Sequence, residues 1–184
     1  MKNIIPFLIV VLSAQFFLTC ESDDIERPSD SEEPTNLILN PSFESNGKPS
    51  LDGWVTVFDD SFRQDTPSEG GSWSILLQPG WIPAEGSATA YFQGAAGENV
   101  YELSVWLKSL NGWSGSLSFG LKSSGDRYPN KLVTLNPSEW TKLVMRDTLI
   151  LQQPESLFVK LSAGMAEFAI GIVLFDLVHV AKVE

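Results

Sequence analysis

From Asn36 onward the chain alternates apolar and polar residues in short runs, separated by Gly, Pro, Asn, Asp and Ser. A period of two is what a strand with one buried face requires. The clearest run is 101–108. Tyr101, Leu103, Val105 and Leu107 share one face, and Glu102, Ser104, Trp106 and Lys108 share the other. Residues 116–121 repeat the pattern, with Leu117, Phe119 and Leu121 against Ser116, Ser118 and Gly120. In 157–162, Leu157, Val159 and Leu161 oppose Phe158, Lys160 and Ser162. Further strands are predicted over 37–40, 54–58, 73–77, 88–93, 141–147 and 169–180. No stretch carries a helical period with caps. Many short strands with frequent turn signals predict an all-β fold, a two-sheet antiparallel β-sandwich.

The last predicted strand is apolar on both sides. Ile172, Leu174, Val178 and Val180 fall on one face, and Val173, Phe175 and Leu177 on the other. Such a strand is expected to be central and covered. Asp176 falls among the inward residues. A buried carboxylate is costly unless it is paired, hydrogen-bonded or bound to a cation.

Composition narrows the chemistry. The 184 residues carry 12 Lys+Arg against 23 Asp+Glu, a formal charge of −11, with one Cys and one His. A single Cys excludes a disulfide framework. One His and one Cys leave little room for a zinc site or a His-based triad. The charge argues against nucleic acid, which needs clustered Lys and Arg. The acidity is uneven: from Asn36 onward there are 16 acidic and 10 basic residues, a net −6.

The remaining acidity lies ahead of the domain. Residues 1–19 read as a signal peptide, with Lys2 followed by an apolar run that is short for a membrane span. Phe17-Leu18-Thr19-Cys20 resembles a bacterial lipobox, with Cys20 the lipidated residue and Thr19 where a smaller residue is usual. An ordinary secretory signal ending near a Cys is the alternative. A lone thiol in an exported chain has no disulfide partner and, as a lipid attachment point, needs none. Two or three acyl chains anchor stably, at about 0.8 kcal/mol per buried CH₂. Residues 20–35 carry seven acidic residues against Arg27, together with Pro and Ser. This composition predicts an extended, disordered tether. It also resembles the surface-export signal of Bacteroidota lipoproteins, which implies a lipid-anchored protein of the outer membrane, facing the cell exterior. Residues 36–184 form the predicted domain.

Four motifs within that domain occur in an order that points to a family. Asn36-Leu-Ile-Leu-Asn-Pro-Ser-Phe-Glu44 is followed by Asp52-Gly-Trp54, then by 97–108, then by Glu139-Trp140-Thr141, and last by Phe175-Asp176-Leu177-Val178. Together they resemble galactose-binding-like jelly rolls, and most of all carbohydrate-binding modules of families four, nine and twenty-two. Leu177 stands where those domains often have a second Asp. The resemblance implies glycan binding without catalysis. It also implies a structural Ca²⁺ between the opening and closing segments, with Glu44 and Asp176 as side-chain ligands. Ca²⁺ takes 6–8 oxygens, many from backbone carbonyls. Hydrogen bonds from loop amides would be the metal-free alternative for Asp176, and a solvated turn the alternative for Glu44.

Sugar recognition needs aromatic faces and a few polar groups. Trp54 and Trp140 match family positions that are mostly core, and Trp73 alternates with core residues. Trp81 and Trp113 sit in Gly/Pro loops, where a large apolar side chain often serves binding; loops folding back over the sandwich ends are the alternative. Trp106 lies on a polar strand face, either as a platform or under a loop. Arg127 and Tyr128 would add a guanidinium and a ring. His179 reads as a surface residue. Three functions remain open. The first is a glycan-capturing surface lipoprotein working beside outer-membrane glycan-uptake proteins. The second is an adhesin-like or assembly module binding protein. The third is a glycoside-active enzyme, for which no carboxylate pair or nucleophile motif stands out.

Overall fold

The computed structural model describes residues 34–57, 60–79, 86–124, 129, 131–164 and 171–183. These belong to the compact unit Pro34–Glu184. Twelve strands follow one another: β1 (Glu44–Ser45), β2 (Lys48–Pro49), β3 (Trp54–Val57), β4 (Asp60–Arg63), β5 (Ser74–Leu77), β6 (Gly86–Gly94), β7 (Gly97–Ser109), β8 (Gly115–Leu121), β9 (Lys131–Leu135), β10 (Thr141–Leu151), β11 (Glu155–Ala163) and β12 (Val173–Lys182). One 3₁₀ turn, η1 (Lys122–Ser124), follows β8. The strands form two antiparallel five-stranded sheets. The first has the order β10-β7-β12-β5-β4 and the second β3-β6-β11-β8-β9, while β1 and β2 make a small hairpin. The protein is an all-β sandwich of jelly-roll type.

The core lies between the sheets and follows from the alternation. Leu103, Val105, Leu107, Ile75, Leu77, Val173 and Phe175 project from the first sheet. Ala88, Ala90, Leu117, Phe119, Leu157, Val159 and Leu161 meet them from the second. Burying a side chain of this size stabilises by about 1.5–3 kcal/mol, so the two facing layers fix which side of each strand points inward.

Two predicted strands differ from the observed ones. Residues 37–40 form no strand. They run beside the second half of β12 through separate anchors: the Leu37 amide donates to Val180 O, the Val180 amide to Asn36 Oδ1, and the Val178 amide to Pro41 O. Asn36 Oδ1 takes the place of a ladder carbonyl, so no regular register forms. The described part of the last strand begins at Val173, and its facing changes midway. Register slips between Asp176 and His179, where Leu177 adopts φ +49°. One extra residue reverses the parity of all that follows. Val173, Phe175, Val178 and Val180 therefore join the core, while Leu174, Asp176, His179 and Ala181 face away from it. Asp176 is not on the inner face with Val178 and Val180, as strict alternation predicts.

The sequence pattern also missed β4 and β9. Both are sheet edges, and β9 has little burial to imprint on its sequence. Of the tryptophans expected in the core, Trp54 is there, its indole N–H donating to Asn40 O at 2.8 Å. Trp73 and Trp140 are only partly buried. Trp73 bonds to Gly47 O in the β1–β2 turn at 3.2 Å, and Trp140 bonds to Asp65 Oδ1 at 2.8 Å.

Candidate functional site

The outer face of the second sheet is built from three adjacent strands that turn small hydroxyls outward. Across β6, β11 and β8, Ser87, Ser162 and Ser116 align in one row, and Thr89, Lys160 and Ser118 in the next. Tyr91, Phe158 and Gly120 form a third row. The middle of this face is recessed. Ser162, Thr89, Ser118 and Lys160 are all buried, and Phe158 is fully so. The rim is open. Tyr91 is 41% exposed, and Val55 and Val57 on β3 and Leu132 on β9 are exposed as well. Ser162 Oγ, buried in the floor, has no hydrogen-bond partner. A buried hydroxyl without a partner forfeits about 1–3 kcal/mol unless a ligand or water meets it.

Past the third row, Lys122, Ser123, Gln153, Glu155 and Ser156 line an open depression of about 560 Å³. Lys122 Nζ lies 4.4 Å from the centroid of the Tyr91 ring. Along one sheet face the protein thus places an aromatic ring, a strip of hydroxyls, an amide, a carboxylate and ammonium groups. This is the donor and acceptor inventory that sugar hydroxyls use.

A second constellation sits under the loop between β4 and β5. Asp176 is fully buried on the outward side of β12, across from Trp106 on β7. Its Oδ1 accepts the Leu177 amide at 2.8 Å, and its Oδ2 has no partner. Burial pushes its pKa up; the Leu177 amide opposes that, the charge of Glu44 adds to it, and the result is about 7. Glu44 reaches the same loop, its Oε2 accepting the Ser72 amide at 2.8 Å. Gly70 and Gly71 make the approach possible. A Cβ on Gly70 would lie 2.5 Å from Asp176 Oδ2, and one on Gly71 would overlap Glu44 Oε1. The backbone is strained beside both carboxylates, at Phe43 (φ +55°) and Leu177 (φ +49°). Bulky residues in this region cost of order 1–3 kcal/mol and persist where the surroundings demand them. Among the described residues no third acidic, His or Cys side chain joins the pair. Two converging carboxylates, one with a bare buried oxygen, fit an oxygen-seeking cation whose other ligands are backbone carbonyls.

The same loop carries Asp65, which has partners. Lys108 Nζ lies 2.9 Å from its Oδ2, and the Trp140 indole N–H donates to its Oδ1 at 2.8 Å. Burial raises its pKa, but the indole bond and the ammonium outweigh that and hold it below the usual range.

The residues proposed from sequence separate into groups. Glu44 and Asp176 reach adjacent glycines of one loop, Gly71 and Gly70. Trp106 is half-buried on the outer face of the first sheet, far in the fold from the hydroxyl strip. Trp113 is partly buried against the core, and its ring packs against Gly171, where an added Cβ would lie 3.0 Å from its Cγ. Trp81, Arg127, Tyr128 and Cys20 lie outside the described residues. Sequence reasoning passed over Tyr91, Lys160 and the hydroxyl strip. The available signal was that 116–121 and 157–162 both put Ser on the polar side. Which strands lie side by side is not written in that pattern.

No protein-family model matches the chain, and no curated protein matches it. Solved structures do. The CBM22-1 xylan-binding domain from Paenibacillus barcinonensis Xyn10C superposes with a TM-score of 0.57 at 19% identity, over 82% of this chain and 96% of that one. TmCBM61, solved with β-1,4-galactotriose, gives 0.52 at 16% identity, over 80% and 99%. The enzymatically active domain of bacteriophage CBA120 tailspike protein 4 gives 0.59 at 13% identity, over 80% of this chain; the chain spans only 21% of that protein. The fold is therefore that of carbohydrate-binding jelly rolls, and it also occurs within larger enzyme chains.

Proposed function

We propose that the domain binds glycan without catalysis on the outer face of the second sheet. The observation that carries this reading is the recessed hydroxyl strip beside the exposed Tyr91 ring, on a fold shared with carbohydrate-binding modules. A sugar ring stacks its apolar face on Tyr91 and presents its hydroxyls to Ser118, Thr89, Ser162 and Gln153. Solved neighbours that bind a galactotriose or xylan support this reading. Calorimetric titration of the purified full chain with a polysaccharide panel tests it. Tyr91→Ala and the groove-filling Ser118→Trp are each expected to weaken binding at least tenfold. A chain that binds no polysaccharide, or whose binding ignores both changes, overturns it.

In the same reading the chain is a surface lipoprotein. Lipid on Cys20 and the acidic tether hold the domain at the outer membrane, where it passes captured polysaccharide to neighbouring uptake proteins. Radiolabelled palmitate should enter the wild-type chain in cells and not Cys20→Ala; labelling of both removes the lipid anchor from the proposal. Glu44 and Asp176 would hold a structural Ca²⁺, whose charge offsets the repulsion between them. The ion would fix the β4–β5 loop and take no direct part in glycan binding.

A further inference from the structure

We infer that Lys122 governs access to the stacking face of Tyr91: its ammonium covers the ring in the free protein, and a glycan has to displace it before it can stack. This deepens the reading above and rests on it. Lys122 opens the turn η1 directly after β8, two strands away from Tyr91 on β6. In the register that sets Leu121 opposite Leu157, it falls beside Ser156 on β11, with which it lines the depression. Neighbouring strands lie about 4.8 Å apart, so its side chain has to cross β11 to reach the ring. Little stands in the way. In the row of Tyr91, Phe158 and Gly120, Phe158 is fully buried and Gly120 has no side chain. Lys122 Nζ ends 4.4 Å from the ring centroid, where the face of an aromatic ring attracts a cation.

That position is the one a sugar needs. A pyranose stacks its C–H face on the ring, and Gln153, which would meet its hydroxyls, lines the depression together with Lys122. A chain running from Tyr91 to Gln153 passes where the lysine stem crosses, so ammonium and sugar compete for the same place. The lysine has another seat. Glu155 lines the same depression, its Oε2 accepting from Ser123 Oγ at 3.4 Å, and Ser123 directly follows Lys122. Lys122 is exposed and its stem is flexible, so the ammonium can swing from the ring to that carboxylate or to a sugar hydroxyl without disturbing the sheet. The energies suit such an exchange. An exposed cation–π contact keeps a ring covered roughly two to five times as often as not. Apparent affinity falls with the fraction of protein that is uncovered. Lys122 therefore sets a threshold: only a ligand with enough stacking and hydrogen bonding of its own expels the ammonium, and weaker apolar contacts with Tyr91 do not.

The test reads the lysine directly, by NMR of the full chain with ¹³C-labelled lysine. In the free protein the ε-methylene protons of Lys122, identified by their loss in Lys122→Ala, should be shifted upfield by the ring. That shift should vanish in Tyr91→Leu. Titration with a polysaccharide that binds in calorimetry should remove it in step with saturation. Lys122→Ala should bind the same polysaccharide roughly three- to sixfold more tightly than wild type, and should lose that gain when combined with Tyr91→Leu. An unshifted lysine in the free protein, a shift that survives saturation, or a Lys122→Ala variant that binds equally or more weakly overturns this inference and leaves the groove standing. If neither wild type nor Lys122→Ala binds any polysaccharide, the glycan reading falls and this inference falls with it.

Discussion

The two outer faces of the sandwich start from the same alternation and end differently. On the first sheet the outward residues of the central strands are sealed, while Val144 and Ile150 on the edge strand β10 stay exposed. Leu174 and Leu76 are buried there, the β4–β5 loop lies over Asp176 and Lys108, and two ion pairs, Lys108 with Asp65 and Arg146 with Glu102, form on that face. On the second sheet the central outward residues are buried as well, but most of them are hydroxyls, and Tyr91 stands exposed beside them. A polar strand face in sequence therefore says only that it is not core. Whether it is covered depends on which loop crosses it. The contrast also separates two aspartates under one loop. Asp65 has an ammonium and an indole and ionises readily, whereas Asp176 has a bare oxygen and resists ionisation.

The strongest way to break this contrast is to truncate one outward leucine on each face. Leu174→Ala should cost about 2–5 kcal/mol, as in a packed interior. Leu132→Ala, on the open rim, should fall within about 0.5 kcal/mol of wild type. Urea denaturation of both variants decides it, and similar midpoints would mean that the first face is no better covered than the second.

The next largest effect separates the aspartates by pH. The folded protein holds a proton on Asp176 up to about 7, against 3.8 for the ordinary group. The folded state therefore binds more protons than the unfolded one between those values, so its contribution is full at low pH and is lost as pH rises toward 7. In chelator, the melting temperature should carry this downward trend with rising pH, and Asp176→Asn should remove it. Added Ca²⁺ should raise the melting temperature at pH 7 in wild type and not in the variant. A wild-type protein indifferent to both chelator and pH would remove the cation and the strained protonation together.

Asp65 gives the smallest effect and the opposite sign. Its pKa is lowered, so its contribution is present above the ordinary carboxylate value and is lost as pH falls through the lowered one. The group is substantially exposed, with 43% of its side chain accessible, and solvent screening keeps the ion pair at about 1 kcal/mol or less. Asp65→Asn should therefore change stability slightly. It should also alter Trp140 emission, because the indole loses its anionic acceptor; unchanged emission would argue against that bond.

Much of the fold was legible in the sequence. The runs at 101–108, 116–121 and 157–162 have one strongly apolar side, and the structure buries that side. Two of the four edge strands were not legible: β4 and β9 bury little, so no period marks them, whereas the edges β3 and β10 were read from 54–58 and 141–147. Nor was the bulge at Leu177, because a backbone irregularity leaves no trace in hydropathy. Glu44 and Asp176 were found together because the first and last motifs carry them, although 132 positions separate them. The hydroxyl strip was hidden for another reason. Ser and Thr on a strand look like ordinary solvent-facing residues until neighbouring strands align them into rows.

The irregularity at Leu177 acts on β12 as a single insertion acts on a reading frame. Everything downstream is shifted by one, and Val178 and Val180 reach the interior only because of it. Were the strand drawn regular through Leu177 with no residue removed, His179 and Ala181 would take the interior places of the two valines, and the amide contacts by which Pro41 and Asn36 stitch the start of the domain to its end would be lost.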